Sequence, residues 1–244
     1  MKKRVVYPLL LLIVCALCAC SSSKVSPYAN IPKPTAVITM ENGLKIALTL
    51  DPASAPNTVS NFVNLANSGY YDGMKIDYVY PTYFLRTGDP EGDGTGGPDY
   101  TIEGEFAENG YSLNQLSHER GVISMCRLDD DYNSAGSQFF LMQSTRLEYD
   151  GKYAAFGWIE KTDLTSLHAL DQLCGVTLDK SYRPLLRQTI ASIRVDTKGY
   201  EYEVVKYGDE WKQTPEPAAE PTAEPATEPI TMPNEIQEES YEQQ

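Results

Sequence analysis

A mainly β domain with two helices, built as a barrel or sandwich of short strands, is what the sequence predicts. Three observations carry this. Short runs rich in Val, Ile, Thr, Tyr and Phe recur between clusters of Gly, Pro, Asn and Asp. Two segments, around 55–69 and 163–173, switch instead to helical spacing. Hydrophobic residues make up 41% of the 244, enough for a packed core.

The elements follow in order. Lys2, Lys3 and Arg4 precede a short apolar run, Val5 to Ala19, that ends in small residues. This is export-signal architecture, too short for a comfortable membrane span. "LCAC" at 17–20 resembles a bacterial lipobox, which implies cleavage before Cys20 and a lipid anchor on it. Two acyl chains hold a protein to a bilayer, at about 0.8 kcal/mol per buried methylene. Residues 20–34 read as a linker. "AVITM" and "LKIALTL" are strand-like runs joined by Glu41-Asn42-Gly43, a strong hairpin signal because Asn and Gly tolerate positive φ. In "APNTVSNFVNLANSG" Val59, Phe62, Val63 and Ala66 share one helical face, and Gly69 suits the stop. Short strands are expected at 76–80, 83–87, 122–126, 138–142 and 154–159. A second helix is expected at 163–173, and strands at "TIASIRVDT" and "YEYEVVKY" close a domain of 35–207. Residues 208–244 repeat Glu-Pro almost without large apolar side chains, and read as a disordered acidic tail.

Several chemistries are disfavoured. A formal charge of −14 without a basic cluster beyond residue 4 argues against nucleic acid. There are only two histidines, His118 and His168, and "NSAGS" is not a nucleophile elbow, so a hydrolase is disfavoured. No His/Cys cluster offers a zinc site. "DPEGDG" at 89–94 imitates a calcium loop, but Tyr100 stands where the bidentate Glu belongs. Cys126 and Cys174 lie in the predicted domain, and their spacing alone does not say whether they pair.

Six segments then agree with one another: "APNTVSNFVNLANSGYYDGMKI", "GDPEGDGTGGPDYTI", "EGEFAENG", "SHERGVISMCR", "NSAGSQFFLM" and "LEYDGKYAAFGWI". In order and spacing they resemble a cyclophilin-type peptidyl-prolyl cis-trans isomerase, across roughly 36–197. The resemblance implies a closed eight-stranded antiparallel β-barrel capped by two helices, a monomer without metal or cofactor. It also implies a groove on the outer face for proline-containing polypeptides. Peptide-bond rotation faces a barrier near 18–20 kcal/mol. Accelerating it by about five decades removes roughly 7 kcal/mol. No bond breaks, so an apolar slot for the proline ring and a cation or donor at the twisted amide suffice.

Carried over residue by residue, the resemblance is mixed. The family segment F-H-R-V-I-P-G-F-M-I-Q-G-G-D reads "IDYVYPTYFLRTGD" here. The family's catalytic arginine falls on Tyr78, its preceding histidine on Asp77, and the glutamine that braces the arginine on Arg86. Tyr83 and Phe84 take the proline-pocket Phe and Met positions. Gln138 matches the backbone-binding glutamine and Phe140 the pocket phenylalanine. Cys126 and Arg127 fall where the peptide groove is lined. Glu148 and Tyr149 replace an aromatic or His and the pocket Leu, and Tyr153 takes the family histidine position. Arg86, Tyr78 and Gln138 are thus the catalytic candidates, and Tyr83, Phe84, Phe140, Cys126, Arg127, Tyr149 and Tyr153 the substrate-binding ones. Three readings stand: an isomerase of exported proteins working through Arg86, at full or weakened rate; a non-catalytic proline-peptide-binding chaperone or scaffold; or a retained barrel with a vestigial groove.

Overall fold

The computed structural model describes residues 26 and 28–209. The expected signal segment 1–19, the expected lipidation site Cys20 and residues 210–244 of the expected tail lie outside the described residues. Eight strands run in chain order: β1 Thr35–Met40, β2 Lys45–Leu50, β3 Tyr78–Tyr80, β4 Phe84–Thr87, β5 Val122–Met125, β6 Phe139–Met142, β7 Ala155–Trp158 and β8 Ile190–Asp196. Two helices, α1 Pro56–Asn67 and α2 Leu164–Cys174, accompany them. All strands join one antiparallel sheet in the order β3-β4-β6-β5-β7-β2-β1-β8.

Alternation decides which side chains fill the interior. Ala36, Ile38 and Met40 on β1 and Ile46, Leu48 and Leu50 on β2 point inward, since successive strand residues face opposite ways. The β1–β2 turn forms as its residues dictate: Gly43 has φ +88, and Asn42 Oδ1 accepts the Leu44 N–H at 3.1 Å. Phe62 of α1 sits at the centre of the core, its ring centroid 5.2–5.6 Å from those of Tyr71, Phe139 and Phe156. Asp163 caps α2 by accepting the Ser166 N–H at 3.0 Å, and Ser166 Oγ in turn accepts the Ala47 N–H of β2 at 2.9 Å. One cap therefore also docks the helix.

Two expectations are corrected. The barrel is not closed: the sheet curls into an open half-barrel whose edge strands β3 and β8 do not pair with each other. β3 is three residues long, and Val79 N–H is taken by the carbonyl of Tyr182, a loop residue. The run before β3 reaches the start of β8 through Gly73 N–H to Ile190 O at 2.8 Å, and the residues just before β8 through Ile76 N–H to Gln188 O at 2.9 Å. The second correction concerns "YEYEVVKY". It forms no strand. Side-chain amides of α1 take its backbone groups in place of a ladder: Asn57 Nδ2 donates to Val205 O at 2.8 Å and Asn57 Oδ1 accepts the Val205 N–H at 2.9 Å, while Asn64 Nδ2 donates to Tyr202 O.

The start of α1 is capped from a distance. Glu105, fully buried, accepts the N–H groups of Asn57 at 3.0 Å and Thr58 at 2.8 Å and the Thr58 hydroxyl at 2.7 Å. These are groups a helix leaves orphaned at its first turn. Burial pushes the Glu105 carboxyl up to about 7. The folded value exceeds the unfolded one, so this group's stabilisation is complete below the ordinary carboxylate range and is lost as pH rises through about 7. Glu105→Gln is expected to flatten that part of a melting-temperature–pH profile. It should also lower stability by roughly 1–3 kcal/mol, because an amide N–H then faces N–H donors. A melting profile with the wild-type slope would contradict this.

Candidate active site

The outer face of β4, β6, β5 and β7 carries a second apolar cluster, apart from the core: Val122, Phe140, Met142 and Ala155, flanked by Phe84, Cys126, Tyr149, Tyr153 and Trp158. The same alternation puts it there. Inward-facing Leu85, Ile123, Met125, Phe139 and Leu141 belong to the core, so their neighbours in sequence face outward. Register then sets a row across the sheet: Tyr78 opposes Arg86, Arg86 opposes Phe140, and Phe140 opposes Ser124. Tyr78 and Arg86, separated by eight residues in sequence, are therefore direct cross-strand partners, whose Cβ atoms typically lie about 4.5–5.5 Å apart.

Arg86 is held on three sides. Its Nε donates to Asp77 Oδ2 at 3.0 Å and its Nη2 reaches the same oxygen. The guanidinium lies over the Tyr78 ring, 5.4 Å from the centroid. Behind it is the backbone of Gly94, where a Cβ would come 3.3 Å from Nη2. Burial pushes the Asp77 carboxyl up from the ordinary carboxylate range, and the hydrogen bond and charge of Arg86 oppose that rise. Burial likewise works against the Arg86 cation, but the Asp77 hydrogen bond and charge outweigh it and raise its pKa. The guanidinium is charged at any working pH.

Two cavities meet at this arginine. One, of about 300 Å³, is walled by Tyr78, Phe84, Arg86, Phe140, Tyr149 and Tyr153, with Cys126 and Arg127. The other, of about 450 Å³, runs between the Gly94–Pro98 loop and Gln138, and shares Arg86, Cys126 and Arg127. The first is an aromatic slot: Phe84 and Phe140 centroids are 5.2 Å apart, Phe140 and Tyr153 5.5 Å, Tyr149 and Tyr153 5.5 Å.

The proposed site residues are placed as follows. Tyr78, Arg86, Phe84, Phe140, Cys126, Arg127, Tyr149 and Tyr153 all line the slot. Arg127 bridges it, 4.7 Å from the Tyr153 centroid and 4.8 Å from that of Tyr132, with its Nε donating to Lys152 O at 3.0 Å. Gln138 lines the second cavity, but its Nε2 donates to Gly94 O at 3.0 Å and Gly96 O at 2.8 Å, which pins the Gly-rich loop. Tyr83 lines neither cavity: its ring packs on Tyr80 at 4.5 Å and under the Arg146 guanidinium at 3.6 Å. Cys126 and Cys174 are free thiols, each pushed up to about 12, chiefly by burial, which makes them poor nucleophiles. Cys20 lies outside the described residues.

The calcium-like segment is explained by its own backbone. Asp89 is buried and accepts N–H groups from Glu91 at 2.9 Å, Gly94, and Gly96 at 3.0 Å, so its oxygens are engaged within the loop. At Gly96 a Cβ would meet Asp89 Oδ1 at 2.3 Å, which is why glycine stands there.

Sequence reasoning missed what supports Phe140 from behind. His118 is fully buried and stacks on Phe140, centroids 6.0 Å apart at 16°. Its Nδ1 is 3.0 Å from Asp150 Oδ1, and its Nε2 3.1 Å from Ser124 Oγ. Because a carboxylate only accepts, Nδ1 carries the hydrogen and Nε2 accepts from the serine hydroxyl. Burial depresses the His118 pKa and keeps the ring neutral. Serine, histidine and aspartate thus do line up, with the serine hydroxyl donating to the histidine as in a hydrolytic triad, but Ser124 is fully buried and out of reach of a substrate carbonyl. The three residues orient the ring that stacks on Phe140.

Known proteins resemble this chain over most of the described domain. Residues 35–195 match the family model "Cyclophilin type peptidyl-prolyl cis-trans isomerase/CLD". Peptidyl-prolyl cis-trans isomerase B of Bacillus subtilis is 40% identical over 123 residues, half of this chain and 81% of that protein. A peptidyl-prolyl cis-trans isomerase of Synechococcus elongatus is 38% identical over 147 residues, 59% of this chain and 94% of that protein. A Cryptosporidium parvum cyclophilin-type isomerase superposes with TM-score 0.60 at 25% identity, covering 68% of this chain and 98% of its own. The same parasite protein, crystallised in the presence of the dipeptide Ala-Pro, superposes with TM-score 0.58 at 26% identity. The chain with this outward-facing aromatic slot belongs to the cyclophilin-type peptidyl-prolyl cis-trans isomerase family of enzymes.

Proposed function

We propose that this protein isomerises X-Pro bonds of exported polypeptides while held to a bacterial membrane through Cys20, with Arg86 supplying the cation that Tyr78 does not. The observation that carries the reading is the cross-strand pairing of Tyr78 with Arg86. An arginine moved from one strand to the facing position on the next still has its guanidinium in the wall of the aromatic slot. There it can donate to an amide whose resonance is lost as it twists, while Phe84, Phe140 and Tyr149 take the proline ring. The Ala-Pro dipeptide in whose presence the Cryptosporidium relative was crystallised has that size and chemistry. The basic-apolar N-terminus and the "LCAC" run support export and lipidation.

A second reading has one observation in its favour. The donors of Arg86 already face Asp77, which competes with any substrate for them. That slows turnover, and at the limit leaves a module that binds proline segments without turning them over.

The test uses the full-length protein and a short X-Pro peptide, with exchange measured by NMR. The wild type is expected to accelerate isomerisation, and Phe140→Ala to lose at least tenfold in kcat/KM by opening the slot. An inactive wild type that still binds the peptide, with binding lost in Phe140→Ala, would establish the binding module instead. Incorporation of labelled palmitate into wild type but not into Cys20→Ala checks the anchor.

A further inference from the structure

The aromatic slot does not end at its own wall. Tyr78, which lines it, is 5.9 Å by ring centroid from Tyr182, and Tyr182 is 5.7 Å from Tyr80. Tyr80 in turn lies 6.0 Å from Phe84, the other shared wall residue. Four rings from β3, β4 and a distant loop thus form one surface that begins inside the slot and continues beyond it. Only Tyr182 comes from outside the strands, and it is 43% exposed.

The loop that delivers Tyr182 is built rigidly. Asp179 Oδ1 accepts the N–H groups of Ser181 at 2.7 Å and Arg183 at 3.0 Å, and Asp179 N–H donates to Arg183 O at 2.8 Å. Leu178 and Pro184 form a bridge at its base, and Val79 N–H bonds the Tyr182 carbonyl at 2.9 Å. Tyr182 itself has φ +59, a conformation a bulky aromatic residue adopts only when its surroundings impose it. Asn or Gly would fit such a turn with less strain. The strained backbone sets the ring against Tyr78 and Tyr80 while leaving 43% of the residue exposed. Three and four residues further along the chain, Leu185 and Leu186 are 62% and 77% exposed.

We infer that Tyr182, with Tyr78 and Tyr80, is a specificity platform that takes an aromatic or leucine side chain flanking the X-Pro pair of the client polypeptide. The inference rests on the isomerase or proline-binding reading of the slot and names which clients it prefers. Continuity identifies the occupant: a chain whose proline sits between Phe84 and Phe140 has its neighbouring residues within reach of Tyr78 and, across it, Tyr182. Offset and edge-to-face ring contacts of this kind give about 0.5–1.5 kcal/mol each beyond area, so discrimination of about three- to tenfold is expected.

The experiment compares an all-alanine peptide around one X-Pro bond with peptides carrying Tyr, Leu or Lys at each of the two positions on either side. Full-length wild type is expected to favour Tyr or Leu over Ala and Lys at one of those positions, about three- to tenfold in kcat/KM, through KM. In Tyr182→Ala that ratio should fall towards one, in Tyr182→Phe it should persist, and in Tyr80→Ala it should shrink. An active wild type without the preference, or a preference unchanged in Tyr182→Ala, overturns the inference. If wild type turns over no peptide, the isomerase reading fails, and peptide affinities by NMR titration decide the platform by the same ratios. No binding of any peptide overturns both.

Discussion

Arg86→Ala is expected to lower kcat/KM on an X-Pro peptide by about two orders of magnitude per folded molecule, the scale of removing one preorganised donor from a reacting oxygen. Two effects must be separated. Asp77 is buried to 2% of its side chain, and loss of its guanidinium partner leaves an unpaired carboxyl there. Breaking a buried pair from one side costs about 3–5 kcal/mol. Arg86 is 26% exposed, so the lower end applies. The double variant Arg86→Ala with Asp77→Ala should therefore recover much of the stability and none of the rate. Circular dichroism gives the folded fraction, and NMR exchange gives the rate. Full activity per folded molecule in Arg86→Ala would sink the assignment. The register adds a stricter test. Tyr78→Arg alone places two guanidinium groups side by side on facing strands. Tyr78→Arg with Arg86→Gln transposes the pair instead, and is expected to equal or exceed wild-type activity. Failure of the transposed protein while folded would show that the slot around Glu148 and Tyr149 has been remodelled more widely.

Phe62→Ala is expected to be the most destabilising single truncation, at about 3–5 kcal/mol. Phe62 is fully buried and touches rings from three separate places: Tyr71 after α1, Phe139 on β6 and Phe156 on β7. Its removal leaves a void where the helix meets β7 and β6, the strand that carries Phe140 of the slot. For a domain of this size that corresponds to a fall of roughly 10 °C or more in melting temperature. Chemical denaturation of the full-length protein measures it. A loss below about 1 kcal/mol would mean that the sheet closes over the void and that α1 is not the keystone of the core.

Much of the architecture was readable because it is local. Runs rich in β-branched and aromatic residues between turn signals placed all eight strands, and helical spacing of apolar residues placed both helices, with Gly69 marking the end of the first. The Asn42-Gly43 turn needed only backbone conformational preference. Where local pattern and tertiary partners compete, the reading failed. "YEYEVVKY" has strand composition, yet Asn57 and Asn64 of α1 meet its backbone groups first. β3 has strand composition too, yet the 178–184 loop takes its free edge and the half-barrel stays open.

The site divides in the same way. Residue type, order and spacing determined by themselves that this chain carries a cyclophilin-type domain with Tyr78 where the family has arginine, because covalent sequence sets which motifs exist and how far apart they lie. Only the tertiary structure decided what each side chain meets. Cross-strand register brought Arg86 opposite Tyr78, and burial made Asp77 its counter-charge. Asp150 and Ser124, far apart in sequence, set the hydrogen on His118 behind Phe140. Tyr83 turned away to Arg146, and a loop some hundred residues downstream of β3 brought Tyr182 to its edge. Those partners are contacts across the fold, and a pattern along the chain carries no term for the energy of a contact until the chain has closed on itself.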